Sequence, residues 1–410
     1  MREVAVCLLL ACFSVSAQAQ RNEIYNDRIA SLQVMVGDDW LNPPISSGEP
    51  INISFDDLTH EYHRYTYSIE HCEADWTASK ELFASDYVNG FAEGNTIDDY
   101  EESLNTNTLY THYALRIPNE RCKIKLSGNY RLTVFDDNDE KTPVLSVCFM
   151  IVDQQVGIAM NVTSNTDIDI NNRHQQVEWE LNYGNLKVTN PAQQIKTVVM
   201  QNYRWDNAVV NAKPQYTTTN GLRWHHCRDL IFAGGNEFRK FEMLDVNHTT
   251  MGLEAIHWDG IQYQAYPWTD EPRLSYIYDE DANGAFVIRN SDNVEINNTS
   301  DYLNTHFRLA SPRLPHDIYI SGWWTNNSFL PKYKMAWNEE KQLYECEIPL
   351  KQGYYSYQYL MQMPDGTTAF VPSEGCFYQT DNTYQILVYY RGLGDRTDKL
   401  IGFRQLTTSD

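Results

Sequence analysis

Asn129-Tyr130-Arg131-Leu132-Thr133-Val134-Phe135, the acidic run Asp136-Asp137-Asn138-Asp139-Glu140, and Pro143-Val144-Leu145-Ser146-Val147-Cys148-Phe149 together decide the fold class. Tyr130, Leu132 and Val134 alternate with Arg131 and Thr133, the period-two pattern of a strand that buries one face. The acidic run cannot be buried in series, so it reads as the solvated tip of a hairpin whose second arm begins at Pro143. Working outward, Tyr65, Tyr67, Ile69 and His71 alternate with Arg64, Thr66, Ser68 and Glu70 in the same way. Gln194 to Gln201 is a β-branched run, and Asp317 to Ile320, Leu343 to Ile348, Tyr354 to Leu360 and Tyr384 to Tyr390 read as further strands. Asn220-Gly221, Asp259-Gly260 and Asp365-Gly366 are compact turn signals between them. Helical periodicity is absent, so the expected fold is all-β, in tandem immunoglobulin-like β-sandwich domains.

Composition agrees. The 410 residues include 28 Tyr, 10 Trp and 15 Phe, side chains that suit half-buried pleated surfaces. Net charge is −23, which repels nucleic acid and anionic headgroups and suits a partner of basic or neutral surface.

The first residues read as an export signal. Arg2 precedes the mostly apolar stretch Val4 to Phe13, and Ala17-Gln18-Ala19 supplies small residues for cleavage before Gln20. Leu9-Leu10-Ala11-Cys12 loosely matches a lipidation box, an alternative fate for Cys12. No later apolar run is long enough for a membrane-spanning helix. Cys72, Cys122, Cys148, Cys227, Cys346 and Cys376 remain after cleavage, dispersed and without a CxxC. Buried small hydrophobes are the favoured reading, with one or more disulfides as the alternative in an oxidising compartment. The expected division is 1–19 signal peptide, 24–152 N-terminal sandwich, 153–300 middle sandwich and 301–405 C-terminal immunoglobulin-like domain, each of ordinary domain size.

Chemistry is sparse. His60-Glu61-Tyr62-His63 lacks the H-E-x-x-H spacing of a zinc helix. His225-His226-Cys227 puts neighbouring residues on opposite faces of a strand, where they do not share an ion. Asp136 to Glu140 lacks the glycine and ligand spacing of a calcium loop. Asp56-Asp57 and Asp98-Asp99 form a glycosidase-like acid pair only if the fold brings them together. No nucleophile elbow, P-loop or dinucleotide fingerprint is present, so neither catalytic residues, a metal site nor a cofactor is expected. Trp323, Trp324, Trp337, Tyr354, Tyr355, Tyr357 and Tyr359 crowd one short region. They read first as core packing and second as a sugar platform or docking patch, with Trp323, Trp324 and Trp337 as candidate partner contacts.

An ordered series of segments carries a family likeness. Ser54-Phe55-Asp56-Asp57-Leu58, His71-Cys72-Glu73-Ala74-Asp75-Trp76 and Asp86-Tyr87-Val88-Asn89-Gly90-Phe91 resemble the N-terminal domain of type IX secretion system plug proteins of Bacteroidota. Tyr110-Thr111-His112-Tyr113, Pro118-Asn119, Ser127-Gly128-Asn129-Tyr130, Gln201 to Asn207 and Gly234 to Arg239 continue it in order. The resemblance implies a non-enzymatic periplasmic subunit at the outer membrane. It would dock on the translocon barrel and close its periplasmic opening, with no small-molecule substrate and no nucleic acid. A second likeness, to glucan-binding sandwiches, begins at Tyr319-Ile320-Ser321-Gly322 and returns at Leu350 to Tyr357. That family's Gly-x-Phe-x-x-Trp pattern falls on Gly322, Trp324 and Asn327; Asn327 has no ring to stack on a sugar, which implies the fold with its site lost. A periplasmic carbohydrate-binding protein is the alternative reading.

Overall fold

The computed structural model describes residues 21–138 and 142–408; the signal segment and Cys12 lie outside them, as do Asp139 and Glu140 at the hairpin tip. The hairpin read from sequence is present as Gly128–Asp136 paired with Thr142–Ile151, with Tyr130 opposite Phe149 and Leu132 opposite Val147. Tyr65–Cys72 pairs along the other side of Gly128–Asp136. Glu23–Ile24, Ile45–Ser46 and Asn95–Thr96 complete this sheet. A second antiparallel sheet, in the order Ile29–Val36, Ile51–Asp57, Thr111–Ile117 and Asp99–Glu102, packs against it. Tyr65, Tyr67, Ile69, Tyr130, Leu132 and Val134 meet Ile51, Ile53, Phe55 and Tyr113 in one core. Every second residue of each strand therefore points into this core, as the alternation requires.

Two further pairs of facing sheets follow, and their strands are not drawn from consecutive halves of the chain. In one, Gly157–Thr163, His174–Asn182, Gly221–Trp224 and Tyr216–Thr218 face Val209–Val210, Ile195–Gln201, Thr383–Tyr390 and Lys399–Thr407. The last two strands of the chain thus pair with residues 195–201. In the other, Gly353–Gln362 pairs with Arg239–Met243, Phe286–Ile288, Asp317–Ser321 and Thr368–Phe370. Its facing sheet runs Leu253–Trp258, Tyr263–Pro267, Tyr302–Leu309, Leu343–Lys351 and Ala336–Asn338. The third sandwich is therefore inserted into the second, leaving it after Ala233 and re-entering at Thr383. The division expected at 300/301 cuts through both. Residues 239–288 belong with the later strands, and residues 383–407 belong with the middle ones. Alternation reveals a strand but not its partner, so the insertion leaves no mark in the sequence.

The sheet containing Ile195–Gln201 and Thr383–Tyr390 is buried on both faces. Val199, Tyr384, Ile386 and Val388 fill the sandwich core. Val198, Met200, Leu387 and Tyr389 instead meet Cys72, Trp76, Cys148 and Met150 of the first sandwich. These segments accordingly read as near-continuous apolar runs. A second hydrophobic core therefore lies between the first and second sandwiches, rather than a hydrated hinge.

Candidate docking surface and the seams behind it

The acid pairs expected from the sequence fold into separate places. Asp98 and Asp99 lie on the surface, Asp98 bridged to Arg121 at 2.9 Å. Asp57 is buried and accepts from Tyr65 Oη at 2.7 Å, with Arg28 Nε 3.6 Å away. Asp56, next to it on the strand, points the other way into the seam with the third sandwich. Its Oδ2 accepts from Lys351 Nζ at 2.6 Å and from Tyr302 Oη at 2.6 Å, and its Oδ1 meets His112 Nδ1 at 2.7 Å. Lys351 Nζ also donates to the Asn297 carbonyl at 2.6 Å and sits 4.0 Å from the centroid of Tyr110. Burial alone would raise the Asp56 pKa, but the Lys351 ammonium and His112 hold it below the ordinary carboxylate value. With both side chains closed off from solvent, no substrate reaches this group. It is an ionic seam, not an acid–base pair.

The histidine motifs also disperse. His60 Nδ1 lies 3.0 Å from the Tyr110 carbonyl, while His63 sits beside Asp57 and Asp136. His225 pairs with Glu178 and Glu180, and His226 with Asp167, while Cys227 is buried. Among the described residues no group of three or more potential ligands could hold a metal ion. The six described cysteines are free, and Cys72, Cys122, Cys148 and Cys227 are buried, so the disulfide alternative is not realised here.

Of the three tryptophans singled out from the sequence, Trp324 is buried, while Trp323 and Trp337 are half-buried. Trp324 is packed in the third core against Phe307 and Tyr355, with its indole nitrogen donating to Ser356 O at 3.0 Å. Trp323 wedges between sandwiches, its ring against Tyr203 and its nitrogen 3.4 Å from Asn202 O. Trp337 lies edge-on to Tyr344 at 4.9 Å. Their crowding reflects core and seam packing, which sequence density does not distinguish from a surface cluster. Asn327, at the glucan-stacking position, turns its amide to Tyr203 O at 3.5 Å; with Trp324 buried, no planar platform forms there.

The exposed apolar side chains lie elsewhere. Residues 268–285 connect Tyr263–Pro267 to Phe286–Ile288 without a regular element. Two inward side chains fix this segment. Arg273 donates to Glu374 Oε2 at 2.6 Å and to Glu237 O at 2.7 Å, while Tyr276 Oη donates to Glu237 Oε1 at 2.5 Å. Glu374 also takes two hydrogen bonds from Arg239, which bridges on to buried Asp270. Beside these anchors Leu274, Ile277 and Tyr278 stand 85%, 75% and 60% exposed. Sequence reading missed this segment because exposure depends on anchors more than thirty residues away in the chain, although Leu274-Ser275-Tyr276-Ile277-Tyr278 is itself an apolar run without strand neighbours.

Comparison with protein families matches residues 29–153 to the model described as the first domain of the type 9 secretion system plug protein. The crystal structure of a hypothetical protein from Parabacteroides merdae is 38% identical in sequence. It covers 95% of this chain and 100% of its own, with a TM-score of 0.91.

The chain belongs to the type IX secretion system plug family.

No curated protein matches. Plug-family membership associates the protein with the secretion system and with the cell envelope. Among the described residues no helix is long and apolar enough to cross a membrane. The plug-family match covers the first sandwich, whereas the similarity to the solved structure extends over all three and includes the inserted unit.

Proposed function

We propose that the protein is a non-catalytic periplasmic plug that docks on the outer-membrane translocon barrel of the type IX secretion system and closes its periplasmic opening. The single observation carrying this reading is the way the three sandwiches are fixed to one another. A body that blocks an aperture by occupying it must not flex at its joints. Here the joint between first and second units is a hydrophobic core. The joint between first and third is the buried Asp56–Lys351 pair, reinforced by Asp301, which accepts from the backbone of Asn107 and Thr108 at 2.7 and 3.0 Å. Interdomain surfaces of this hydrophobic and ionic character resist the relative motion otherwise expected between domains. Asp56, Asp57 and the candidate histidines are committed to structural contacts, which supports a steric role.

Affinity purification of the tagged protein from native outer membranes tests the proposal. The barrel should be recovered in stoichiometric amount. Recovery of soluble proteins alone would refute it.

A further inference from the structure

Resting on that reading, we infer that the segment 271–280 is the docking edge of the plug, and that it fits an apolar protein surface bordered by lysine or arginine side chains on the barrel. A structureless connection of this length inside a compact unit is unusual unless it works as a binding loop. Flexibility does not explain its exposed apolar side chains. Arg273 and Tyr276 tie it to Glu374 and Glu237, both nearly buried, and Asp281 accepts from the Phe238 amide at its far end. Inward anchors thus alternate with the outward residues Leu274, Ile277 and Tyr278, so the backbone is fixed before any partner arrives. A preordered loop loses little conformational entropy on binding.

Tyr276 and Tyr278 also line a groove of about 310 Å³, together with Val162, Tyr378 and the polar Gln175 and Asp381. Val162 belongs to the strand Gly157–Thr163, which leads into the hairpin tip where Ile168 and Ile170 are 56% and 70% exposed. This tip is held to the third unit by the Tyr378 amide donating to Asn172 O at 3.1 Å. The second and third sandwiches therefore both contribute to the lining of this groove.

The rim supplies the charge argument. Glu271 and Glu280 flank the apolar run, both exposed, and neither forms an ion pair among the described residues; only their backbone carbonyls are engaged, by Arg239 and Lys240. Within a chain of net charge −23, free carboxylates around an apolar centre call for a cationic border on the partner.

The test measures binding of the purified full chain to the detergent-solubilised translocon barrel, by biolayer interferometry at two salt concentrations. Leu274→Ser/Ile277→Ser/Tyr278→Ser should weaken binding at least about tenfold, since apolar anchors at an interface centre carry most of the affinity. Glu271→Lys/Glu280→Lys should slow association and flatten its salt dependence. A control, Phe91→Ser/Tyr216→Ser, alters exposed apolar residues of the first and second sandwiches and should bind like the wild type. Thermal melts of all variants confirm that the fold is kept. Wild-type binding with a triple variant inside twofold of it overturns the docking edge, as does loss of affinity confined to the control. Loss of self-association in place of barrel binding would assign the face to a second copy and overturn the inference. Absence of wild-type binding refutes the plug reading itself, and the partner assigned to this edge falls with it.

Discussion

Lys351→Met removes the cation from the seam between the first and third sandwiches and leaves Asp56 buried with His112 and Tyr302 as its remaining partners. Breaking a buried pair from one side costs about 3–5 kcal/mol, because a carboxylate is left without its counter-charge. Two surviving hydrogen-bond partners place this case at the lower end, about 3 kcal/mol. For a unit of this size that is a fall in Tm of roughly 6–12 °C. Asp56→Asn/Lys351→Met removes both charges and should recover most of the loss, to within about 1 kcal/mol of wild type. Differential scanning calorimetry is the assay, with hydrogen exchange on Tyr110 and Tyr302 to locate the opening. The single variant should split one cooperative transition into two, the first sandwich separating from the inserted one. A single variant that melts within about 2 °C of wild type, or a double variant less stable than the single, refutes the claim that this pair joins the units.

Other outcomes follow from named groups. Burial pushes Asp281 up to about 8, so its favourable neutral form is fully present below the unfolded carboxylate pKa and is lost as pH rises through about 8. Asp281→Asn should therefore stabilise the protein at pH 8.5 and have little effect near pH 4, read by thermal melts at both. Asp56 has the opposite sign: its lowered pKa contributes stability above the ordinary carboxylate pKa that is lost as pH falls through the folded value. Asp56→Asn should accordingly flatten the acid limb of the stability profile. Gly128 has φ +146°, and a Cβ there would lie 2.3 Å from His71 Nε2; Gly128→Ala should lower stability by about 2 kcal/mol or more in urea unfolding. In the native state, thiol labelling should reach Cys376 and only slowly Cys346, whose pKa burial pushes up to about 11. The four buried cysteines should react only after unfolding.

Strand identity was legible where one face is buried: Tyr130, Leu132 and Val134 announce their strand by alternation, and the structure places all three in the first core. Partnership was not legible. Tyr384 to Tyr390 reads as a strand but contains nothing that names Ile195–Gln201 as its neighbour, since register is set by packing across nearly two hundred residues of intervening chain. Nor could Asp56 be told from Asp57 in sequence. Adjacent residues on a strand face opposite sides, and only the assembled seam shows that one meets Lys351 and the other Tyr65. Trp324 misleads for the same reason: it and an exposed hot-spot tryptophan are identical letters, and burial separates them. The outward set Leu274, Ile277 and Tyr278 has no periodicity to betray it, because its exposure comes from the salt bridge and hydrogen bonds of Arg273 and Tyr276.

Ionic conductance through the purified translocon barrel in a planar bilayer tests the steric account most directly. Addition of this protein from the periplasmic side should reduce the current to the level of the bare membrane, and restore it on removal. Unchanged current at a concentration where binding is saturated would contradict the account.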